Sequence, residues 1–243
     1  MKILISDSYE SMSKNASDDV IQKLQSTEQP LFCVASGESP NGLYKELVDR
    51  HHQKLLDVSG WYFLGLDEWV DLDKNDQGSC RYVLDRHLFD PLKIKEERIC
   101  FFNGKFRDPV SECERVEEFI RLNGPIDLAV LGLGMNGHVG LNEPGVSPFL
   151  RCHVSKIDEM TRMVGQKYFT HPQLLSKGIT LGIATLMEAK HLILLISGVK
   201  KAAITQRVLK QEISNDLPAS LLRNHPDFTV YLDKGAASHL DPG

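Results

Sequence analysis

The chain has 243 residues, of which 42% are apolar and 25% are charged, and its formal net charge at pH 7 is -5. A chain of this length can form one large α/β domain or two small ones, and the core it can bury needs no disulfide or metal staples. No repeat, linker or low-complexity segment divides it, and residues 1–243 are predicted to form a single domain. The charge is mild and spread along the chain without a basic block, which argues against nucleic acid or a membrane surface as a partner. Small anionic molecules remain possible partners.

The cysteines and the hydrophobic runs both point to the cytoplasm. The five cysteines are odd in number and widely scattered, and they show neither a CxxC pair nor zinc spacing. They are therefore expected to be reduced thiols. The longest purely apolar run, Leu192–Ile196, has five residues, which is too short for a signal peptide or a membrane span. A cytoplasmic location is predicted.

Buried strands and amphipathic helices alternate along the first half of the chain. Lys2–Ser6 is predicted to be the first strand, and Asp7 or Ser8 can cap a helix whose apolar positions continue to Leu24. Further strands are predicted at Leu31–Ala35, Trp61–Leu66 and Arg98–Phe102. Helices are predicted after Pro40 and at Ser79–Phe89 and Val110–Leu122.

The alternation continues in the second half. Strands are predicted at Ile126–Leu131, Gly178–Ile183, His191–Ile196 and Phe228–Leu232. Helical segments are predicted within Ser155–Lys167, at Ala184–Ala189, from Ser197–Ala203 onward and at Leu217–Leu222. Such alternation predicts an α/β fold with three layers, in which a mostly parallel, twisted sheet carries helices on both faces in a modified doubly wound arrangement.

The strand at Ile126–Leu131 leads into a glycine-rich loop that contains His138 and Glu143. Ligands bind at the carboxyl ends of the strands in open α/β sheets, so this histidine and carboxylate are candidate catalytic residues. The alternative is that His138 only satisfies local hydrogen bonds.

The same loop contains Gly132-x-Gly134-x-x-Gly137, which matches the dinucleotide-binding fingerprint. That fingerprint requires a helix immediately after the glycines, whose N-terminus holds the pyrophosphate. Gly140 and the segment Pro144–Pro148 leave no room for such a helix. No nicotinamide or flavin cofactor is expected.

Two strand-to-helix junctions have the composition of an anion-binding site. Ser36–Pro40 offers small hydroxyl residues and backbone N–H groups at the start of a helix. Ser197–Ala203 is a second junction of this kind and carries Lys200 and Lys201. A lysine at a helix N-terminus opposes the helix dipole, so a shared anion explains it better than helix stability does.

Asp67 follows directly after a mostly apolar predicted strand. Adjacent carboxylates such as Asp67 and Glu68 usually belong to a solvated loop. A carboxylate at the end of a buried strand instead faces the ligand-binding edge of the sheet. Asp67 is therefore a third candidate catalytic residue.

These segments occur in an order that resembles the glucosamine-6-phosphate deaminase / galactosamine-6-phosphate isomerase family, within the wider group that includes 6-phosphogluconolactonases. The matching segments are Ser36–Pro40, Leu66–Trp69, Gly137-His138 with Asn142–Gly145, and Gly198-x-x-Lys201-Ala202, with Pro218–Ser220 and His225 near the end. The resemblance covers nearly the whole chain. It implies amino-sugar catabolism, in which a hexosamine 6-phosphate, glucosamine 6-phosphate or galactosamine 6-phosphate, is converted into a ketohexose 6-phosphate and ammonia.

The resemblance also implies a role for individual residues. Asp67 matches the base that moves a proton between C2 and C1 of the opened sugar, and His138, oriented by Glu143, matches the ring-opening acid and base. Asn136 lies in the same catalytic group. The phosphate-binding positions are Ser36, Gly37, Glu38 through its N–H, Ser39, Lys167 and Lys201. No cofactor and no metal are expected, because His138 and Glu143 lack companions at ligand spacing.

Two residues depart from the family pattern. Asn136 stands where many members carry aspartate, and Lys167 stands where the family usually has arginine. Lysine keeps the positive charge but lacks the planar guanidinium group that can bind a phosphate through two parallel hydrogen bonds. If these changes abolish catalysis, the chain is a sugar-phosphate sensor. A 6-phosphogluconolactonase is the other alternative, but that branch usually reads Leu-Phe-Pro-Gly at Asn142–Gly145, and Glu143 favours the deaminase. The sequence leaves open the epimer of the hexosamine, allosteric regulation and whether the protein is a monomer or a homo-oligomer.

Overall fold

The computed structural model describes residues 1–240 and contains ten strands in two sheets. The strands are β1 (Lys2–Ser6), β2 (Leu31–Val34), β3 (Tyr62–Gly65), β4 (Asp67–Trp69), β5 (Ile99–Cys100), β6 (Leu128–Gly132), β7 (His153–Lys156), β8 (Lys177–Thr180), β9 (His191–Ile196) and β10 (Phe228–Asp233). Seven of them form one sheet in the order β1-β10-β9-β6-β2-β3-β5, and all of its neighbouring strands are parallel. The strand before the glycine-rich loop, β6, lies at the centre of this sheet.

The helices cover both faces of the large sheet. They are α1 (Tyr9–Leu24), α2 (Glu38–His52), α3 (Cys80–Leu84), α4 (Pro109–Asn123), α5 (Glu159–Gly165), α6 (Ile183–Met187), α7 (Ala202–Lys210) and α8 (Pro218–Leu221). Short 3-10 turns and one π-helical turn, Asp85–Phe89, supplement them. Ser8 caps α1 through a reciprocal pair of hydrogen bonds with Ser11, which confirms the predicted start of that helix.

Alternation along the strands builds two hydrophobic cores. In β9, Leu192 and Leu194 pack into a core with residues of α4 and α7, whereas Ile193 and Leu195 pack into a second core with residues of α1 and α2. Successive side chains of a strand point to opposite faces, so a strand buried on both sides has no polar alternation. The predicted three-layer α/β fold is confirmed.

The main correction concerns a second, small sheet. Gly178–Ile183 was expected to be a strand of the parallel sheet, but β8 pairs antiparallel with both β4 and β7. Asp67–Trp69, expected at the carboxyl end of the preceding strand, forms a strand of its own, β4, and His153–Lys156 forms a strand that the sequence did not suggest. These strands have three or four residues each, so they carry too little periodicity to be recognised without their partners.

Two further boundaries differ from the predictions. The strand expected over Arg98–Phe102 is reduced to Ile99–Cys100, because it pairs only at the edge of the sheet with β3. The helix expected over Ser79–Phe89 is α-helical only to Leu84 and then widens into the π-helical turn. No helix among residues 1–240 is long and apolar enough to span a membrane.

Candidate active site

A single cavity collects most of the predicted site residues at the carboxyl ends of β2, β3 and β6. Ligand binding at this edge follows from the parallel topology, because the loops that leave the strands converge there. The predicted residues that line the cavity are Ser36, Gly37, Glu38, Ser39, Asp67, His138, Lys167 and Lys201. Asn136 and Glu143 do not line the cavity, but both lie close to Nδ1 of His138.

The glycine-rich loop places the imidazole of His138 against its own backbone. A Cβ atom at position 134 would lie 2.3 Å from both Nδ1 and Cε1 of the His138 ring, so only glycine fits there. The N–H of Gly134 donates to the carbonyl oxygen of His138 at 2.9 Å and closes the loop. No helix occurs between Gly132 and Glu159, so the glycines shape a histidine loop and not a pyrophosphate site.

The His138 side chain is oriented through Nδ1. This atom lies 2.7 Å from Asn136 Oδ1 and 2.9 Å from Thr161 Oγ1. Thr161 Oγ1 donates to Glu143 Oε2 at 3.1 Å, and that carboxylate oxygen lies 3.6 Å from Nδ1. Asn136 and Thr161 thus connect the imidazole to Glu143, while Nε2 has no hydrogen-bond partner within residues 1–240.

Burial and a nearby cation keep His138 neutral. Burial lowers the pKa of His138 to about 4, and the positive charge of Lys201 acts in the same direction, against the opposite effect of Asp158. Burial also raises the pKa of Glu143, whose Oε1 atom is buried without a hydrogen-bond partner. A neutral imidazole can accept a proton at its free nitrogen and return it, as ring opening requires.

Asp67 is held where the chain passes from the large sheet to the small one. Its neighbour Leu66 donates its N–H to Val34 at 3.0 Å and accepts from Leu181 at 2.9 Å. The Asp67 side chain is buried at the cavity wall beside the thiol of Cys80. Burial raises the pKa of Asp67 to about 7, with a smaller opposing effect from the Cys80 contact. A carboxylate with this pKa is a suitable base near neutral pH.

Glu68, the carboxylate next to Asp67, has a structural role. Glu68 is fully buried and accepts hydrogen bonds from the backbone N–H groups of Trp69, Cys80 and Arg81 at 2.8 to 2.9 Å. These bonds tie β4 to the start of α3. Glu68 therefore fixes the start of α3, whose Cys80 contacts Asp67, and only Asp67 of the pair lines the cavity.

The two predicted anion-binding junctions come together on one side of the cavity. Gly37 caps α2 with a φ of 140°, a backbone conformation that favours glycine, and the first N–H groups of the helix have no helical partners. Ser39 Oγ lies 3.0 Å from Ser197 Oγ, which joins this helix terminus to the junction that follows β9.

Two lysines complete this positive region. Lys201 donates from Nζ to the carbonyl oxygen of Leu133, in the loop after β6. Burial lowers the pKa of Lys201 to about 8, helped by the positive charge of Lys167 and opposed by Glu38. Lys167 Nζ lies 2.9 Å from Glu38 Oε2, so this lysine balances the carboxylate that stands nearest to the helix terminus. Ser36 lines the cavity and contacts the Cys80 thiol.

The sequence did not reveal three other residues of the site. Thr161 contacts His138 and Glu143, Cys80 contacts Asp67, and Tyr168 lines the cavity close to Gly37. Thr161 and Tyr168 belong to α5 and the 3-10 turn after it, whose docking against the sheet has no local sequence signal. The only available signal was Asp158, a typical N-cap residue.

Comparisons with known proteins bear on this site. The family model described as glucosamine-6-phosphate isomerases/6-phosphogluconolactonase matches residues 6–231. Glucosamine-6-phosphate deaminase from Geobacillus sp. (strain WCH70) is 36% identical over 239 residues, 98% of this chain and 95% of that protein. Glucosamine-6-phosphate deaminase 1 from Bacillus subtilis (strain 168) is 34% identical over 239 residues, 98% of this chain and 99% of that protein.

Solved structures agree with the sequence comparisons. A monomeric glucosamine-6-phosphate deaminase superposes with a TM-score of 0.94 at 34% identity, covering 98% of this chain and 100% of its own. The 6-phosphogluconolactonase from Trypanosoma brucei superposes with a TM-score of 0.76 at 20% identity, covering 98% of each chain, and shows the shared fold alone. The match over residues 6–231 and relatives above 30% identity over the full length lead to one conclusion. The chain belongs to the family of glucosamine-6-phosphate isomerases and 6-phosphogluconolactonases.

Proposed function

We propose that this protein is a deaminase and isomerase that converts a hexosamine 6-phosphate and water into a ketohexose 6-phosphate and ammonia. The observation that carries the proposal is the placement of Asp67 and His138 on the wall of the one cavity that Ser39 and Lys201 also line. A base for a carbon-bound proton, an acid and base for the ring and a site for an anion are the groups that this reaction requires. Relatives at 34 to 36% identity over nearly the full length carry the name glucosamine-6-phosphate deaminase.

His138 opens the sugar ring in this proposal. Its free Nε2 takes the proton of the anomeric hydroxyl, and the imidazolium then gives a proton to the ring oxygen, so the ring opens without net proton loss. The contact of Nδ1 with Asn136 and Thr161 holds the ring plane during both transfers. Glu143 stabilises the transient imidazolium through Thr161.

Asp67 carries out the isomerisation. Its carboxylate removes the proton from C2 of the open aldehyde, and the C1 oxygen takes up a proton from solvent, which leaves an enol at C1 with the amino group on C2. Asp67 then returns its proton to C1, which yields a protonated imine at C2. Water adds to this carbon, and the adduct loses ammonia and a proton to give the ketone. Burial prepares the carboxylate for this step by raising its pKa to about 7.

The phosphate serves to position the sugar. The α2 N-terminus, Ser39 and Lys201 would bind the phosphate, far from the reacting carbons, so that its binding energy orients C1 and C2 against the catalytic groups. Lys167 neutralises Glu38 at the same terminus and contributes its charge to the region.

One coupled assay separates this function from its alternatives. Ammonia release is measured with glucosamine 6-phosphate and galactosamine 6-phosphate, and ester hydrolysis is measured with 6-phosphogluconolactone. The proposal expects ammonia from at least one hexosamine 6-phosphate at a rate far above that of the lactone reaction. Lactone hydrolysis alone would identify a lactonase, and binding of all three without turnover would identify a sensor.

We propose further that the reaction is independent of metal ions, because each step is a proton transfer that a carboxylate or an imidazole can perform. Dialysis against a chelator should leave kcat/KM unchanged, and restoration by an added divalent cation after loss would contradict this. A cytoplasmic location is also proposed, since all five cysteines are free.

A further inference from the structure

The amide of Asn136 is surrounded by groups that fix its orientation. Its Nδ2 atom lies 2.9 Å from Glu143 Oε2, 3.2 Å from Asp158 Oδ1 and 3.3 Å from Thr161 Oγ1. Carboxylate oxygens only accept hydrogen bonds, so the amide nitrogen must face them and the amide oxygen must face the other way. Asn136 Oδ1 therefore points to His138.

The orientation of this amide selects the tautomer of the imidazole. Asn136 Oδ1 accepts the backbone N–H of His138 at 3.1 Å and lies 2.7 Å from its Nδ1. An amide oxygen has no proton to give, so Nδ1 carries the proton of the neutral ring. Nε2 is then unprotonated, which is the form that can take a proton from the anomeric hydroxyl.

The contact between Nδ1 of His138 and the Thr161 hydroxyl does not by itself select a tautomer. The Thr161 hydroxyl can either accept from Nδ1 or donate to it. While Glu143 is ionised, the Thr161 hydroxyl donates its proton to Glu143 and accepts a hydrogen bond from Nδ1. Burial raises the pKa of Glu143, however, which favours its protonated form. A protonated Glu143 can donate to Thr161, and the hydroxyl can then donate to Nδ1 and favour the unproductive tautomer.

Asp158 can fix the orientation of the Asn136 amide independently of the ionisation state of Glu143. It is exposed to solvent at the start of α5, where the same Oδ1 atom also accepts from the backbone N–H of Met160 at 2.9 Å. Helix capping fixes the carboxylate in place, so it can hold the Asn136 amide whatever the state of Glu143. The charged groups that face His138 are thus Glu143 and Asp158 on one side and Lys201 on the other.

We propose that Asp158 is a positioning residue for His138, which acts by clamping the Asn136 amide so that Nδ1 keeps its proton and Nε2 faces the substrate as a base. This inference rests on the proposed function for its catalytic consequence. The tautomer itself is a property of the resting protein and can be observed without turnover.

The test is 15N NMR of protein labelled at histidine, with the His138 signals identified by their loss in His138→Gln. The parent protein should show a protonated Nδ1 and an unprotonated Nε2 at neutral pH. Asp158→Ser keeps a residue that can cap α5 but is too short to reach the amide. This variant should show a mixture of tautomers and a several-fold lower kcat, with KM little changed. Asp158→Asn keeps the acceptor oxygen and should restore the parent spectrum and most of kcat.

Glu159→Gln is the matched control, because it removes one negative charge from the neighbouring position, where the side chain is 78% exposed and its carboxylate lies 3.8 Å from the guanidinium of Arg162. It should leave spectrum and kcat unchanged. A protonated Nε2 in the parent, or a serine variant identical to the parent in both readouts, would overturn the proposal. The predicted tautomer in a parent that releases no ammonia would overturn the proposed function and leave the clamp intact.

Discussion

At the scale of single residues, the two central groups of the site owe their proton affinities to burial. Asp67 lies at the cavity wall with a pKa raised to about 7, and His138 has a pKa lowered to about 4. Desolvation disfavours the charged form of each group, so the imidazole is neutral near pH 7 while a substantial fraction of Asp67 is still an ionised carboxylate. Both groups can therefore accept a proton, Asp67 from carbon and His138 from oxygen in the proposed reaction.

Asp67→Asn tests the base for carbon. The substitution removes the acceptor for the C2 proton and keeps the size of the side chain, so kcat should fall by about 10² to 10⁴ while KM changes little. Steady-state kinetics with the preferred hexosamine 6-phosphate provides the measurement. A loss of binding with no loss of kcat would show that Asp67 is structural.

The pH dependence of kcat/KM tests the assignment of Asp67 together with that of Lys201. The base must be ionised, so activity should fall as the pH drops below about 7, and the phosphate-binding lysine must be protonated, so activity should fall as the pH rises above about 8. Lys201→Arg should remove the alkaline limb because arginine stays charged. Lys200→Arg, at the exposed neighbouring position, is the control. An alkaline limb that persists in Lys201→Arg would assign this ionisation to another group.

At the scale of elements, the loop after β6 decides where the histidine lies. The ring of His138 occupies the space beside Gly134 that any Cβ atom would need, whereas a Cβ atom at Gly132 would meet nothing within 4 Å. The two glycines of the same fingerprint thus have different roles. The absence of a side chain at Gly134 leaves room for the His138 ring, whereas Gly132 does not restrict the position of that ring.

This contrast gives a matched pair of substitutions. Gly134→Ala should displace the imidazole by a large fraction of an ångström or more and lower kcat by about 10²-fold, the usual cost of a small misplacement of a catalytic group. Gly132→Ala adds a methyl group that meets no protein atom and should leave the His138 ring in place, so any effect of this cavity-lining substitution should fall on KM and not on kcat. Kinetics of both variants, with circular dichroism to confirm folding, is the measurement. Equal kcat in the two variants would separate the Gly134 contact from catalysis.

The long strands β6 and β9 and the capped helix α1 were predictable, because a continuous apolar run or a 3.6-residue period reports burial directly. The residues that follow those strands were predictable as site residues for the same reason. Thr161 and Asp158 were not, because their contacts with the histidine loop depend on the docking of α5, which no local pattern encodes.

At the scale of the whole molecule, the site depends on both sheets. Asp67 is the first residue of β4 in the small sheet, and it directly follows Leu66, whose N–H donates to Val34 of the large sheet. The prediction that the chain forms one domain implies that the two sheets unfold together.

The two tryptophans allow a direct test of this prediction. Trp61 packs against Phe32 and Phe63 of the large sheet, and Trp69 lies in β4 of the small sheet. Fluorescence of Trp61→Phe and Trp69→Phe during urea unfolding reports each sheet separately. The midpoints of the two curves, each corrected for the stability of its variant by circular dichroism, should coincide if there is one cooperative unit. A separate earlier transition of Trp69 would show that the small sheet unfolds on its own.

The fate of the C2 hydrogen in heavy water reports directly on the proposed isomerisation at C1 and C2. The hexosamine 6-phosphate is incubated with the parent protein in D2O and followed by NMR of the sugar carbons together with an ammonia assay. A ketohexose 6-phosphate should form in step with ammonia release, with C1 carrying either the hydrogen that Asp67 removed from C2 or a solvent deuterium that exchanged onto its carboxyl group, and both products should form about 10² to 10⁴ times more slowly with Asp67→Asn. A hexosamine 6-phosphate that keeps its C2 hydrogen and forms no ketose, while 6-phosphogluconolactone is hydrolysed, would contradict the proposed isomerisation.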